Sequence, residues 1–455
     1  MSGAGNPRPP AAEALEPEIH RIGAELAAAF PPAARHPMRA IDARAMELAS
    51  SDRELKAALF RFVDVVPACR SLDDLARHLA SFLSELPDAP PPITAAMRIS
   101  HTKAGRAALG AAAAGGVKHM AHRFIVGETP SSALGIFKTL WGRGIASSVD
   151  LLGEATVTQA EADRYADRCA DALERVADAA RSWPERPHLE SDHSDTVARA
   201  NVCAKISALT PLLRPDAPAR GQRDAADRLR PLLRLARSVG AHLHIDMESL
   251  DSREAVLELV LELLSEGEFA DGPSAGVVLQ AYLRDSPAQL ATILDWARSS
   301  PRTPPLQIRL VKGAYWDHEL VQARAHGWPV PVFELKADCD RNFEALTRTL
   351  LAARPSVRVA IASHNLRSVA HAIAANRAAG AEDGDLELQV LRGLGDELQD
   401  ALASLGFRVR TYCPVGDLVA GMAYLVRRLL ENTSNDSFLS AQAAGTPLEV
   451  LLAAP

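Results

Sequence analysis

From Gly144 onward the chain alternates eight times between a short β-rich run and a helical pattern, and few architectures accommodate that alternation. The runs lie at 145–154, 201–209, 242–248, 275–282, 306–315, 357–364, 386–392 and 409–415. Helical spacing fills 159–181, 222–239, 252–266, 287–299, 341–353, 366–379 and 396–405, and 417–430 follows the last run. The runs read as nearly continuous apolar stretches, the pattern of parallel strands covered by helices. A doubly wound open sheet satisfies the alternation too, but a count of eight over roughly three hundred residues favours a (β/α)8 TIM-type barrel.

Residues 18–135 read differently. Helical patterns at 18–30, 52–66, 71–86 and 101–125 are separated by Pro31-Pro32 and by a proline cluster at 87–92, with no period-two alternation. The expected architecture is an all-helical domain at 18–135, then an α/β barrel at 136–440. A Pro/Ala/Gly-rich stretch at 1–17 is expected to be disordered, and 441–455 to be a tail or linker. A net charge of -7 leaves no general basic field for nucleic acid or anionic lipid. Cys69, Cys169, Cys203, Cys339 and Cys413 show no CxxC spacing, so neither a zinc site nor a disulfide framework is expected, which fits a reducing cytoplasm. The N-terminus has no signal-peptide pattern, and the most apolar run, 107–117, is too short to span a bilayer. Membrane contact would be peripheral, at the inner face of the cytoplasmic membrane.

Two adjacent arginines, Arg427 and Arg428, interrupt an otherwise apolar helical stretch, YLVRRLLEN at 424–432. A buried guanidinium calls for an anionic partner, and its planar fork suits a carboxylate or a phosphate. In a barrel of this kind chemistry sits where strands end, and polar residues fall there repeatedly. They are Lys205, Asp246, Gln280, Arg309 with Lys312, His364-Asn365, Gln389 and Tyr412. Each has a bland reading. Lys205 and Asp246 could satisfy one another, Gln280 and Gln389 could be hydrogen-bonded core residues, Asn365 suits a helix N-cap, and Arg427 could pair with Glu431 one turn on. A polar residue in every strand from the second to the eighth is improbable as a set of accidents. No P-loop, GxSxG elbow or HExxH cluster is present, and Gly393-Leu394-Gly395 is a weak phosphate signal.

The motif at 309–317, RLVKGAYWD, resembles the fifth-strand motif of the flavin-dependent proline dehydrogenases, and YLVRRLLEN resembles their last-helix motif. Asp150 to Glu154, Ile245-Asp246, Leu279 to Tyr282, Ser363 to Asn365 and Tyr412 to Gly416 match in the same order, over about 123–438. The helical N-terminal region is similar to that of the bifunctional proline utilization A proteins. The resemblance implies oxidation of L-proline to Δ1-pyrroline-5-carboxylate, with FAD as first acceptor and a membrane quinone as second. It implies that Arg427, Arg428 and Lys205 hold the proline carboxylate, that Tyr315 and Tyr412 wall the ring with Asp246 in support, and that Glu154 pairs with Arg427 as a gate. Arg309 would sit near flavin N5. Gln280, Val311, Gly313, Trp316, Lys336, His364, Asn365, Gln389, Arg428, Glu431, Ser437 and Phe438 would contact FAD.

One departure is Cys339 before Asp340, where the family usually carries Thr, which removes one hydroxyl contact. Tyr412 goes with proline rather than hydroxyproline. Nothing after Phe438 resembles an aldehyde dehydrogenase, so the chain is either monofunctional or the front of a longer bifunctional protein with such a C-terminal module. Two other readings compete. One is a Schiff-base aldolase-type barrel using Lys205 or Lys312 on a phosphorylated substrate. The other makes the polar ring structural and the N-terminal helices a partner-binding module.

Overall fold

The computed structural model describes residues 12–31, 53–87, 91–153, 155–417, 421, 441–442 and 445–455. Eight parallel strands close into a barrel: β1 (Ile145–Leu151), β2 (Asn201–Lys205), β3 (His242–Asp246), β4 (Ser274–Gln280), β5 (Leu306–Val311), β6 (Val357–Ala362), β7 (Leu386–Leu391) and β8 (Val409–Val415). Neighbours in sequence are neighbours in the sheet, and β8 pairs with β1 to complete the ring. The closed barrel settles the choice against an open sheet.

The helices between the strands follow their sequence patterns. In Gln159–Arg181, Thr158 accepts from the Glu161 N–H and Glu161 reaches back to the cap, fixing the start of the helix. Ala162, Tyr165, Cys169, Ala172, Leu173 and Val176 are buried, spaced three and four apart as one face of a helix requires. Several runs are shorter than their apolar character suggested. The second stops at Lys205 and becomes a helical turn, Ile206–Leu209. The fifth stops at Val311 because Gly313 takes φ +133, outside the extended region, and the chain then enters the helix Trp316–His326.

The termini differ from expectation. The chain is helical from Ala12, and Glu16–Ala28 packs against Leu366–Ala378, so residues 12–17 are ordered rather than disordered. Arg367 ties the layers together: it donates to Glu16 at 2.7 Å, to Glu344 at 2.8 Å and to the Leu452 carbonyl at 2.6 Å. Leu452 is fully buried, and its methyls fill the space a side chain at Gly23 would need. Leu452 is therefore anchored in the core. A boundary at 135 would cut the helix Pro130–Gly142, whose Phe137, Leu140 and Trp141 belong to the barrel's core.

The interior of the barrel is charged where aliphatic layers are usual. Arg410 grips both oxygens of Glu387 at 3.0 Å, and Gln389 donates to the same carboxylate at 2.6 Å. Burial opposes ionisation of Glu387, but Arg410 and Arg408 overcome it and bring its pKa down to about 2. At the N-terminal mouth Arg358 and Arg408 lie 3.0 and 3.5 Å from Asp192, on a small hairpin that plugs the opening.

Histidines buried as neutral rings set the acid limit. His371 has no exposed side-chain surface and its Nε2 accepts from Arg348 at 2.9 Å. Burial, then the charges of Arg348 and Arg367, pushes its pKa down to about 3, and burial drives His242 and His244 well down too. An unfolded histidine takes a proton near pH 6.5, which the native state refuses, so stability falls as pH drops from 6.5. The loss is about 2 kcal/mol per such histidine at pH 5. Thermal melts should show Tm steady near pH 7 and declining by pH 5, and a constant Tm across that range would contradict the buried neutral assignment.

Candidate active site

The C-terminal ends of the strands gather a compact polar cluster. Asp246, last residue of β3, is its centre. Arg309 Nη1 on β5 donates to Asp246 Oδ1 at 2.8 Å, and the Tyr412 hydroxyl on β8 donates to Oδ2 at 2.6 Å. The guanidinium of Arg309 also lies 5.3 Å from the Tyr412 ring centroid, and its Nη2 approaches Cys203 Sγ at 3.5 Å. Lys205, the last residue of β2, stands beside Asp246 in the strand register, with Nζ 3.8 Å from Oδ2. Its close partner is Asp150 on β1. The bland pairing of Lys205 with Asp246 alone is therefore corrected: Asp246 belongs chiefly to Arg309 and Tyr412.

The electrostatics follow from burial and pairing. Burial, then the Asp150 and Asp246 carboxylates, raises the Tyr412 pKa well above that of a free phenol, so the hydroxyl stays a donor. Burial opposes the charge of Lys205, but Asp150, Tyr165 and Asp246 outweigh it and the pKa is raised well above the usual lysine range. Two carboxylates therefore balance two cations.

A second group lies beside this cluster. Lys312 follows β5, and Lys336 opens the helix Lys336–Ala352; both pair with Asp340. Burial raises the Asp340 carboxyl, but Lys312 and Lys336 more than reverse this and lower its pKa. Gly313 sits where any side chain would collide with the Tyr282 ring, at 2.2 Å. Tyr315 precedes the first turn of Trp316–His326, and the Trp316 indole donates to the Phe333 carbonyl at 2.8 Å. Val311 pairs with Gln280 in the register. Gln280 donates to the Glu248 carbonyl at 3.1 Å, while its buried Oε1 accepts no hydrogen bond among the described residues. The Leu391 N–H donates to His364 Nε2 at 2.9 Å, which leaves the neutral ring's hydrogen on Nδ1.

Other expected contacts have structural duties. Asn365 accepts from the Ser368 N–H at 3.1 Å and caps the helix Leu366–Ala378. The Gln389 amide nitrogen is committed to Glu387. Gly393 makes room for Phe124 and Gly395 for His364, so packing explains the glycines once weighed as a phosphate signal. Arg123, on the helix Lys103–Phe124, donates to the Gly393 carbonyl at 2.9 Å and so fixes the N-terminal helices to this end of the barrel. Glu154, Arg427, Arg428, Glu431, Ser437 and Phe438 lie outside the described residues. Sequence reasoning placed Asp150 in a family motif but gave neither it nor Cys203 a role in the site. Asp150 carried the same signal as the others, a charge inside an apolar run, in the one strand not credited with a polar residue.

Residues 133–441 match the family model described as proline dehydrogenase, and residues 16–124 that described as the proline utilization A N-terminal domain. The chain belongs to the proline dehydrogenase family. Bifunctional protein PutA of Salmonella typhimurium is 34% identical over 347 residues, covering 74% of this chain and 25% of that protein. Proline dehydrogenase 1 of Bacillus subtilis is 26% identical over 325 residues, 71% of this chain and 90% of its own. The crystal structure of proline utilization A from Bdellovibrio bacteriovorus inactivated by N-propargylglycine superposes with a TM-score of 0.86 at 33% identity, covering 96% of this chain and 43% of that one. The chain thus spans about a quarter of the length of its bifunctional curated relatives.

Proposed function

We propose that this chain oxidises L-proline to Δ1-pyrroline-5-carboxylate using FAD, with a quinone as the onward acceptor. The observation that carries the reading is the Asp246 cluster at the strand ends, in a barrel of the proline dehydrogenase family. The residues fit a flavin on physical grounds. Gln280 Oε1 and Arg309 Nε are buried polar atoms without a hydrogen-bond partner among the described residues, one acceptor and one donor at the same barrel end. Gly313, at φ +133, lets the chain turn after β5 while the Tyr282 ring packs against it. Gln280, Arg309, Gly313, Trp316, Lys336 and His364 would hold the cofactor. When bound, FAD supplies the two-electron acceptor for the substrate's hydride.

The protein's own task is positioning. Lys205, with Arg427 and Arg428, receives the carboxylate. Tyr412 walls the substrate ring while Asp246 and Arg309 fix its orientation. Tyr315 supplies the facing wall, and the family resemblance gives Glu154 and Arg427 the role of a gate. A Schiff-base reading needs an uncharged lysine. Lys205 is held as an ammonium by Asp150; burial lowers the pKa of Lys312, but its Nζ is committed to Asp340, which it shares with Lys336. Among the described residues no helix is long and apolar enough to cross a membrane, so delivery of electrons to a membrane quinone would occur by peripheral contact.

The purified, FAD-reconstituted chain should be yellow, and anaerobic L-proline should bleach its visible absorbance. Failure to take up flavin, or flavin that proline leaves oxidised, would sink the proposal.

A further inference from the structure

We infer that Asp150 is a positioning residue for substrate recognition: it holds Lys205 as a seated ammonium, so that carboxylate binding is insensitive to pH. The inference rests on the proline reading of the site and assigns a residue that reading leaves without a role.

The geometry isolates the pair. Asp150 lies on β1 with its side chain 2% exposed, and Lys205 on β2 with its side chain 14% exposed. Asp150 stands across from Cys203 in the β1–β2 register, two residues before Lys205, and its Oδ1 meets Lys205 Nζ. The lysine backbone is pinned separately: the Tyr165 hydroxyl accepts from the Lys205 N–H at 3.2 Å. Stem and head are thus fixed from two elements, and the lysine has little freedom to seek other partners.

A buried ammonium persists only with a counter-charge, since desolvation alone drives a lysine toward its neutral form by several pKa units. The groups facing Lys205 are Asp150 from β1, Asp246 and Glu248 from β3 and the loop after it, Tyr165 from the helix Gln159–Arg181, and Arg309 and Tyr412 across the barrel, with the thiols of Cys169 and Cys203 nearby. Asp246 is 3.8 Å away and already satisfied by Arg309 at 2.8 Å and by Tyr412. Burial and the neighbouring Asp246 charge raise the pKa of Glu248, although Ser207 and Lys205 oppose this, so it is the poorer counter-charge. Asp150 is the carboxylate in direct contact, and the largest single influence that keeps the lysine charged.

The consequence is specific. With Asp150, Lys205 carries its charge throughout the physiological range and the affinity for a carboxylate is flat. Without it, the site gains one net positive charge at low pH and loses the ammonium as pH rises. The expected behaviour of Asp150→Asn is therefore tight binding at pH 6 that weakens steadily, about tenfold or more by pH 9, as a charge-assisted contact becomes a neutral one.

Tetrahydrofuran-2-carboxylate is a suitable probe, because it presents the carboxylate on a five-membered ring but has no amine to titrate and no oxidisable C–H–N unit. Its Kd for the flavin-loaded full chain is measured by calorimetry from pH 6 to 9. The parent and Asp150→Glu should give flat profiles, Asp150→Asn a falling one, and the double variant Asp150→Asn with Lys205→Arg a flat profile again, because arginine cannot lose its proton. A flat profile for Asp150→Asn overturns the inference while leaving the proline reading intact. A parent chain that does not bind the probe sinks both. If Asp150→Asn does not fold, the parent decides: the ¹³C resonance of Lys205 in reductively methylated protein should still report the charged form at pH 10.4, the ordinary lysine midpoint. Titration at or below that value overturns the inference.

Discussion

Arg309→Met is expected to lower kcat/KM for L-proline by at least about a hundredfold, and to reduce Tm as well. Methionine approximates the aliphatic stem, so packing is largely kept and the change is chiefly one of charge. Arg309 is 4% exposed and neutralises Asp246 through a 2.8 Å bond. Removing one member of a buried pair costs about 3–5 kcal/mol because the remaining charge stays desolvated. Here Asp246 would retain only the Tyr412 hydroxyl and the more distant Lys205, so its carboxylate would turn. Turning loosens Tyr412, whose ring and hydroxyl are both held by this arrangement. Every 1.36 kcal/mol lost in the transition state is tenfold in rate, so a loss of about 2.7 kcal/mol, just under the lower figure of that cost, gives the stated effect. Arg309→Lys should fall between, since it restores charge without the fork that bonds Asp246 and contacts the Tyr412 ring together. The assay is steady-state kinetics on flavin-replete protein beside a thermal melt. Unchanged kcat/KM in Arg309→Met would remove Arg309 from the chemistry of this site.

What the sequence disclosed and what it hid differ for physical reasons. The barrel was legible because eight apolar runs at regular spacing favour it, while its closure is seen only in the strand pairing. Strand ends were less legible, because an apolar residue such as Ile206 fits a strand or a buried helical turn equally well. The helix Trp316–His326 was hidden because its buried residues are only Glu319, Leu320 and Ala323, too few to print a periodic face. The order of residues 12–17 was hidden because a Pro/Ala-rich composition says nothing of a docking surface, here the Arg367–Glu16 bond and the packing on Leu366–Ala378. At the site, the strand-end residues could be found one by one from their misplaced polarity. Their partnerships could not: β2 lies between β1 and β3, and that Lys205 meets Asp150 on one side more closely than Asp246 on the other is set by side-chain geometry in the assembled sheet. The acids and bases of the barrel's interior, Glu387 with Arg410 above all, likewise reveal themselves as a pair only once β7 lies beside β8.

Methionine at Arg427 or at Arg428 is expected to raise KM for L-proline by one or more orders of magnitude with a smaller effect on kcat. In the described cluster Asp150 and Asp246 cancel Lys205 and Arg309, so those four groups offer an incoming carboxylate no net positive charge. Lys205 can donate to the anion, yet the anion also meets the field of two fixed carboxylates, one of them 3.8 Å from the lysine. Binding an anion there requires further cations, and the sequence supplies two adjacent ones, Arg427 and Arg428, in the helical pattern after the eighth run. Charge-assisted hydrogen bonds are worth roughly 1.5–3 kcal/mol each, which corresponds to about a ten- to hundredfold change in KM per arginine. The loss should depend on the substrate's carboxylate. Pyrrolidine, the same ring without it, should be oxidised as slowly by the variants as by the parent, while proline loses its advantage. Equal penalties on pyrrolidine and proline would point to a disturbed flavin site instead, and an unchanged KM for proline in both variants would remove the arginines from carboxylate recognition.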